Sequence, residues 1–168
     1  MQHEVSDLMP TSKRYPRLQR ATEFDIPSLV TLNNMFAPEG KTLPRDETFA
    51  FNHLHDYWVL RGDQGAILGA VALDEYSPSL VELVALAVDP SARGHGFGKQ
   101  LIEAACDLAR RRGYAEIFAV SYADALFLDS GFVHAALADY PEKVSRYERI
   151  DRSELQVGEK HCFRRPLA

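Results

Sequence analysis

The sequence predicts a single α/β (α+β) domain with helices packed around a β-rich middle. Three observations carry that expectation. The chain has 168 residues, the size of one domain, and this is enough to bury a core without metal or disulfide staples. Its middle reads as a succession of strands separated by tight turns. One long amphipathic helix follows, introduced by a glycine-rich loop.

The elements follow in order. Residues 1–16 are polar and aperiodic and are expected to form a flexible N-terminal tail, with 17–168 the single domain. A short strand is expected over 16–21. Thr22 then reads as an N-cap with Asp25 three residues later. The helix after it carries Ile26, Leu29, Val30 and Leu32 at helical spacing. Ala37-Pro38-Glu39-Gly40 breaks it, and residues 44–54 read as a second short helix. Strands are expected over 57–61 and 66–74, joined by the turn Gly62-Asp63-Gln64-Gly65. Residues 80–88 form an apolar run broken only by Glu82, as in a buried strand, and Asp89-Pro90 ends it. In the long helix, Leu101, Ile102, Ala105, Leu108 and Ala109 make one apolar face, and Arg110 to Gly113 close it. A strand over 117–121 and a short helix over 123–130, closed by Gly131, come next. Residues 132–135 and 161–165 read as strands with an irregular polar segment between them.

Composition narrows the function classes. Hydrophobic residues make up 46% and charged residues 26%, an ordinary globular balance. The longest apolar stretches are far too short to span a membrane, and residues 1–14 carry no apolar signal segment. The formal net charge is −5, which argues against a nucleic-acid partner. The cluster Arg110, Arg111 and Arg112 suits the negative end of its helix. Cys106 and Cys162 fit no metal or redox spacing, so both are expected to be reduced thiols in a cytoplasmic protein. His53 and His55 stand two apart on a predicted helix, on different faces, and are not read as metal ligands. No metal is expected.

The informative stretch is Val88-Asp89-Pro90-Ser91-Ala92-Arg93-Gly94-His95-Gly96-Phe97-Gly98-Lys99. A buried strand feeds a glycine-rich turn that opens a helix. Backbone N–H groups and the positive helix end then converge on one spot, which suits a phosphate or pyrophosphate. The ATP-binding loop pattern fails, because Gly98-Lys99 is followed by Gln100 and Arg93 stands where its first glycine belongs. The dinucleotide fingerprint fails too, with Lys99 in its last glycine's place. A tight turn that merely caps a helix is the alternative.

Arg93-Gly94-His95-Gly96-Phe97-Gly98 resembles the R/Q-x-x-G-x-G/A signature of the GNAT N-acetyltransferases. The element order over residues 17–167 is also similar to that fold, a central mixed, mostly antiparallel sheet flanked by helices. The resemblance implies acetyl-CoA as co-substrate. Acetyl-CoA would bind on the loop that starts at Arg93, and backbone amides of Gly94, His95, Gly96, Phe97, Gly98 and Lys99 would hold its pyrophosphate. The backbone of Leu86, Ala87 and Val88 would pair with its pantetheine arm like an added strand. Family members often dimerise, so a homodimer is expected.

Further segments resemble the acetyltransferase domain of bacterial N-acetylglutamate synthases, which acetylate the α-amine of glutamate in arginine biosynthesis. Leu43-Pro44-Arg45 resembles the L-x-R element near the acceptor. Glu82 falls on the position of the proposed general base and Ser121 on that of the proposed proton donor. Phe127, Gly131 and Phe132 repeat the W-F-x-x-x-G-F pattern with Leu126 in place of Trp, and Pro141-Glu142 and Arg152 match a later stretch. The family's Thr-Thr-Arg segment reads Ser121-Tyr122-Ala123 here. Many members carry an N-terminal amino-acid-kinase domain, so the chain is expected to correspond to the short stand-alone form. The Tyr that many GNAT enzymes place four residues before the G-F glycine is Phe127.

Amine acetylation needs a base for the ammonium, and Glu82 is the one charge in its strand. A glutamate facing solvent is the alternative. Ser121 is otherwise a local hydrogen-bonder, and Arg45 and Arg152, candidate carboxylate clamps, are otherwise surface arginines. The expected partner is a small-molecule amine or amino acid, with glutamate first. A GNAT enzyme for another amine (polyamine, antibiotic or protein N-terminus) and a non-catalytic acetyl-CoA-binding module remain alternatives.

Overall fold

The computed structural model describes residues 16–39, 43–149 and 160–167. The predicted tail (but for its last residue), Arg152 and most of the segment preceding Lys160 lie outside the described residues. Seven strands form one sheet in the order β1-β2-β3-β4-β5-β7-β6. β1 (Arg17–Arg20), β2 (Tyr57–Arg61), β3 (Ile67–Ser77) and β4 (Leu80–Val88) make an antiparallel meander. α3 (Phe97–Arg111) then crosses over, and β5 (Glu116–Ser121) pairs parallel with β4. β7 (His161–Pro166) runs antiparallel to β5, with β6 (Val133–Ala135) beside it. This is the mixed, mostly antiparallel sheet expected. No helix among the described residues is long and apolar enough to cross a membrane.

Each face of the sheet carries its own core. α3 lays Leu101, Ile102, Ala105, Leu108 and Ala109 on one face, all buried against Leu60, Val71, Val81 and Leu83. α1 (Ile26–Asn34) and α2 (Glu47–Asn52) cover the other, where Leu29, Leu32 and Ala50 meet Val59, Ala70, Val84 and Ala87. β4 thus loses water on both sides, the reason its sequence runs apolar without alternation.

Several boundaries differ from the sequence reading. β3 runs to Ser77, because Glu75 and Ser77 still pair with Val81 and Leu80 although their polarity reads as turn. The second helix is shorter than 44–54. Asp46 caps it by accepting from the Phe49 N–H at 2.9 Å, and His53 is its C-cap. His53 and His55 are therefore not on one helix, since His55 lies in the 3-10 turn Leu54–Asp56. The expected irregular segment after 135 contains α5 (Pro141–Glu148). Its sequence hid it: Val144 and Tyr147 are its only large apolar residues, and the residue it buries is Lys143. α4 (Asp124–Asp129) lies between β5 and β6.

The N-terminal strand and α1 are fastened to β2 by one charged cluster. Arg61 on β2 donates from Nη1 and Nη2 to the two oxygens of buried Asp25, at 3.0 and 2.8 Å, and from Nε to Gln19 on β1 at 2.8 Å. The Thr22 N–H donates to the same carboxylate at 2.9 Å. Burial raises the Asp25 pKa, but the bonds from Arg61 and Thr22 outweigh it and hold the group below its ordinary value. Its stabilisation is therefore complete above the unfolded carboxylate pKa of about 3.9 and is lost as pH falls through the lower folded value. Asp25→Asn is expected to cost about 1–3 kcal/mol at neutral pH. Urea denaturation checks this, and the gap between wild type and variant should shrink toward about pH 3.

Candidate functional site

The site begins where two strands part. β4 and β5 pair only over Leu80↔Glu116, Val81↔Ile117 and Glu82↔Phe118. Beyond Glu82, β4 carries a bulge: Val84 and Ala87 pair with Ala72 and Ala70, so two β4 residues, Ala85 and Leu86, stand opposite Val71 alone. Ala85 takes the left-handed φ of 54° there. A bulge bends its strand and increases its twist, and β4 turns away from β5. A cleft of about 430 Å³ opens between them. On that side, the backbone from Leu83 to Val88 has no strand partner among the described residues.

At the far end of β4 the chain enters the glycine-rich loop. Gly94 and Gly96 have φ of +84° and +76°, and a Cβ on either would meet nothing within 4 Å. The left-handed backbone, not crowding, thus requires glycine at both. Gly96 is the N-cap of α3, and no side chain among the described residues caps that helix. Its first N–H groups are left to an outside acceptor. Gly98 answers a different constraint: a Cβ would lie 3.1 Å from Leu126 Cδ2, so glycine lets α3 start against α4. Arg93 and Gly98 line the cleft, as do Leu86, Ala87 and Val88. Gly94, His95, Gly96 and Lys99 are exposed beside it, while the Phe97 ring is in the core.

Near the other end stands Glu82, six residues back along the strand, roughly 20 Å from Val88. It is buried, 3% exposed, yet lines the cleft. The solvent-facing alternative is thereby set aside. Its Oε1 accepts from the Tyr76 hydroxyl at 2.7 Å, and its Oε2 lies 3.0 Å from the Lys143 ammonium, itself 5% exposed. The Lys143 Nζ also sits 4.6 Å from the centre of the Tyr147 ring. Burial and then the Glu82 charge push the phenols of Tyr76 and Tyr147 well above the ordinary tyrosine range.

Leu43 and Arg45 reach the same cleft because α1 ends in two asparagines. Asn33 Nδ2 donates to the Leu43 carbonyl at 2.9 Å. Asn34 donates to the Arg45 carbonyl at 2.8 Å and accepts from the Arg45 N–H at 2.9 Å. Arg45 lays its guanidinium over the Phe49 ring at 4.3 Å, and its buried Nε has no hydrogen-bond partner among the described residues. On β5, Ser121 Oγ accepts from the Ala123 N–H at 3.0 Å, the local bond its residue type suggests. The buried Tyr122 hydroxyl also lacks a partner among the described residues. Lys160 completes the wall, with Nζ 5.6 Å from the Tyr122 ring centre.

The structure therefore brings together Glu82, Ser121, Leu43, Arg45, the Leu86–Val88 edge and part of the glycine loop. Arg152 lies outside the described residues. Sequence reasoning missed Lys143, Tyr76, Tyr147 and Lys160 as parts of one site. The available signals were weak: Lys143 directly follows the quoted Pro141-Glu142, and Tyr76 sits six residues before Glu82 on the neighbouring strand. The arrangement offers an anion cradle, a free strand edge and a carboxylate held among cations.

The sequence over residues 26–132 matches the acetyltransferase (GNAT) family. The amino-acid acetyltransferase of Neisseria meningitidis is 30% identical over 127 residues, covering 74% of this chain but 29% of that protein. The amino-acid acetyltransferase of Mycobacterium tuberculosis is 27% identical over 120 residues, covering 70% of this chain and 68% of that one. Among solved structures, N-acetylglutamate synthase from Neisseria gonorrhoeae, complexed with coenzyme A and N-acetyl-glutamate, superposes with a TM-score of 0.79 at 26% identity. That match covers 93% of this chain and 36% of that one. The chain thus spans less than a third of the Neisseria meningitidis relative.

The Glu82–Lys143 pair is buried on both sides, so removing one partner strands the other. Lys143→Met is expected to destabilise the fold by about 3–5 kcal/mol. Adding Glu82→Gln should recover part of that loss, because a neutral amide needs no counter-charge. Urea denaturation of wild type, both single variants and the double variant measures the coupling; strictly additive losses would show that the two groups do not support each other.

Proposed function

The chain belongs to the acetyltransferase (GNAT) family, and we propose that it transfers the acetyl group of acetyl-CoA to the α-amine of an amino acid, glutamate first. The observation that carries this reading is the parting of β4 from β5. It creates one cleft that joins an anion cradle, an unpaired strand edge and a buried carboxylate.

Acetyl-CoA fits that cleft by its own chemistry. Its pyrophosphate would sit on the uncapped N–H groups of α3 and the loop Gly94 to Lys99. Its pantetheine amides would pair with the free edge from Leu86 to Val88, as an added strand does. The thioester would then lie toward Glu82. An amino group is largely protonated at neutral pH, and Glu82 would take its proton, directly or through a water. The neutral nitrogen attacks the thioester carbonyl and forms the C–N bond; the C–S bond breaks, the thiolate leaves with the electron pair and takes up a proton, and the nitrogen releases its second proton, which replenishes the donor. A thiolate of pKa near 8.5 needs modest help. Ser121 is suited to donate that proton, since its Oγ accepts from Ala123 and its hydroxyl hydrogen is left to point elsewhere. No covalent intermediate on the protein is required.

The acceptor follows from charge. Among the described residues lining the cleft, Glu82 is the one carboxylate, against Arg45, Arg93, Lys143 and Lys160. That balance disfavours a polyamine and favours an amine that carries carboxylate. The relatives' names, amino-acid acetyltransferase, point the same way. Arg45, with an unsatisfied Nε, would take one carboxylate of the acceptor.

Release of free CoA with glutamate, glutamine and spermidine as acceptors tests the reading. Turnover of spermidine alone would overturn the acceptor, and CoA binding without release on any amine would overturn catalysis. Gly96→Val forces a branched side chain onto a left-handed backbone at the cradle. It should abolish the rise in melting temperature that acetyl-CoA gives the wild type by mass action; an unaltered rise in a folded variant would remove the loop from the site. Glu82→Gln loses the proton acceptor and also leaves the buried Lys143 ammonium without its counter-charge, so its melting temperature is measured beside its kcat and only a folded variant counts. Its kcat should fall about 10²-fold at neutral pH and recover partly at high pH, where the amine is already neutral. Wild-type kcat at neutral pH would make Glu82 structural.

A further inference from the structure

Two carboxylates stand side by side on the β3–β4 pair. Asp74 is the direct register partner of Glu82, so both side chains leave the sheet on the same face, where like charges repel. α5 answers both from one of its own faces. Lys143 lies 3.0 Å from Glu82, and Arg146, three residues on, lies 3.0 Å from Asp74. Arg146 also places its guanidinium over the Tyr76 ring, 3.8 Å from its centre.

Tyr76 sits at a break in the strand register. Glu75 pairs with Val81 and Ser77 with Leu80, two adjacent residues of β4, so Tyr76 is an extra residue with no register partner. Such bulges re-aim a side chain and are common beside active sites. Here the hydroxyl donates to Glu82 Oε1 at 2.7 Å. The ring is held on two sides, by Arg146 over its face and by Phe118 in an edge contact at 5.2 Å. Burial and then the Glu82 charge push the phenol well above the ordinary tyrosine range, so it stays a donor at any working pH. Glu82 and Lys143 line the cleft, whereas Tyr76, Arg146 and Asp74 are not among its described lining. Tyr76 thus ties one oxygen of Glu82 from behind. The other, Oε2, is left on the side of Lys143, which is the cleft side.

We infer that Tyr76, stacked under Arg146, is a positioning residue for the acetyl transfer: it pins Oε1 of Glu82 from behind the cleft, so that Oε2 is the oxygen presented to the acceptor nitrogen. The inference rests on the acetyl-transfer reading above and deepens it, since Glu82 as the base is its premise. A base must lie within hydrogen-bond reach of the proton it takes. A carboxylate free to rotate would have to be ordered in each turnover, and one already held does not.

The test follows release of free CoA, with glutamate as acceptor or glutamine where that turns over faster. The proteins are wild type, Tyr76→Phe, Arg146→Met, Arg146→Lys, Glu82→Gln and the double variant Tyr76→Phe with Glu82→Gln. Tyr76→Phe keeps the ring and loses only the hydroxyl. Its kcat should fall about 10- to 100-fold, while KM for both substrates stays within about threefold. Arg146→Met should show the same split to a smaller degree. Arg146→Lys keeps a cation for Asp74 and for the ring, and should stay within about threefold of wild type. In Glu82→Gln no base is left to position, so adding Tyr76→Phe should change kcat by less than about twofold. A merely structural tyrosine would lower kcat in both backgrounds. Unchanged kcat in folded Tyr76→Phe overturns the inference, as does an equal fall in both backgrounds. Loss of the acetyl-CoA-induced rise in melting temperature marks a general structural defect and overturns it too. If Tyr76→Phe does not fold, Arg146→Met decides: the kcat split with rescue by lysine supports the inference, and wild-type kcat overturns it. A folded Glu82→Gln with wild-type kcat removes the base, and the inference falls with it. If Glu82→Gln loses turnover and Tyr76→Phe keeps it, the inference alone fails and the acetyl-transfer reading stands.

Discussion

Everything in the cleft depends on β4 and β5 being paired at one end and apart at the other. A parallel pair that stayed in register along its length would bury Leu83 to Val88 against β5, and no ligand could reach that backbone. The bulge at Ala85 and Leu86 prevents this by bending β4 while β3 still holds its opposite edge. The left-handed φ of Ala85 is costly for a residue with a Cβ. It persists because the flanking pairs Val84–Ala72 and Ala87–Ala70 are fixed in a core covered by α1. The strain sits where the cleft begins, and the packed face behind it holds it there.

The same geometry explains the electrostatics. Glu82 occupies the last pair before the strands separate, opposite Phe118. It is buried by the paired end and still lines the open end. A lone carboxylate in that place would be poorly tolerated. Tyr76 from β3 and Lys143 from α5 satisfy one oxygen each. The stacking of Tyr140 on Phe118, 4.0 Å between ring centres, fixes the start of α5 on β5 and so brings Lys143 to Glu82. An element that looked irregular in the sequence therefore supplies the counter-charge.

Legibility followed physical cause. The strand 80–88, the strand 57–61 and the face of α3 were plain, because burial on one or both sides writes hydrophobic pattern directly into the chain. The glycine loop was plain because positive φ at Gly94 and Gly96 admits few other residues. Glu82 stood out as a charge in an apolar run. α5 was not legible, because an ion pair inside a cleft holds it and apolar spacing does not record such pairs. Lys143 and Lys160 were hidden for the same reason: lysine reads as surface until topology brings it under a neighbour. The asparagines at the end of α1 were equally silent. They act on the backbone of Leu43 and Arg45, ten and eleven residues away, and no short motif spans that distance.

Net charge was the least informative signal about the cleft. The chain carries −5 overall, which by itself would suggest a cationic partner. The excess of acid lies elsewhere: Glu82 is the only carboxylate among the described residues that line the cleft, and it is already paired. Screening in water confines each exposed carboxylate to about 10 Å at moderate salt, whereas Arg45 and Lys160 act inside a partly dry cleft where charge is felt more strongly. The sign of charge inside the cleft is therefore set by a few withdrawn cations, not by the sum over the surface. An acidic chain thus carries a cleft whose described lining is mostly cationic among its charged residues.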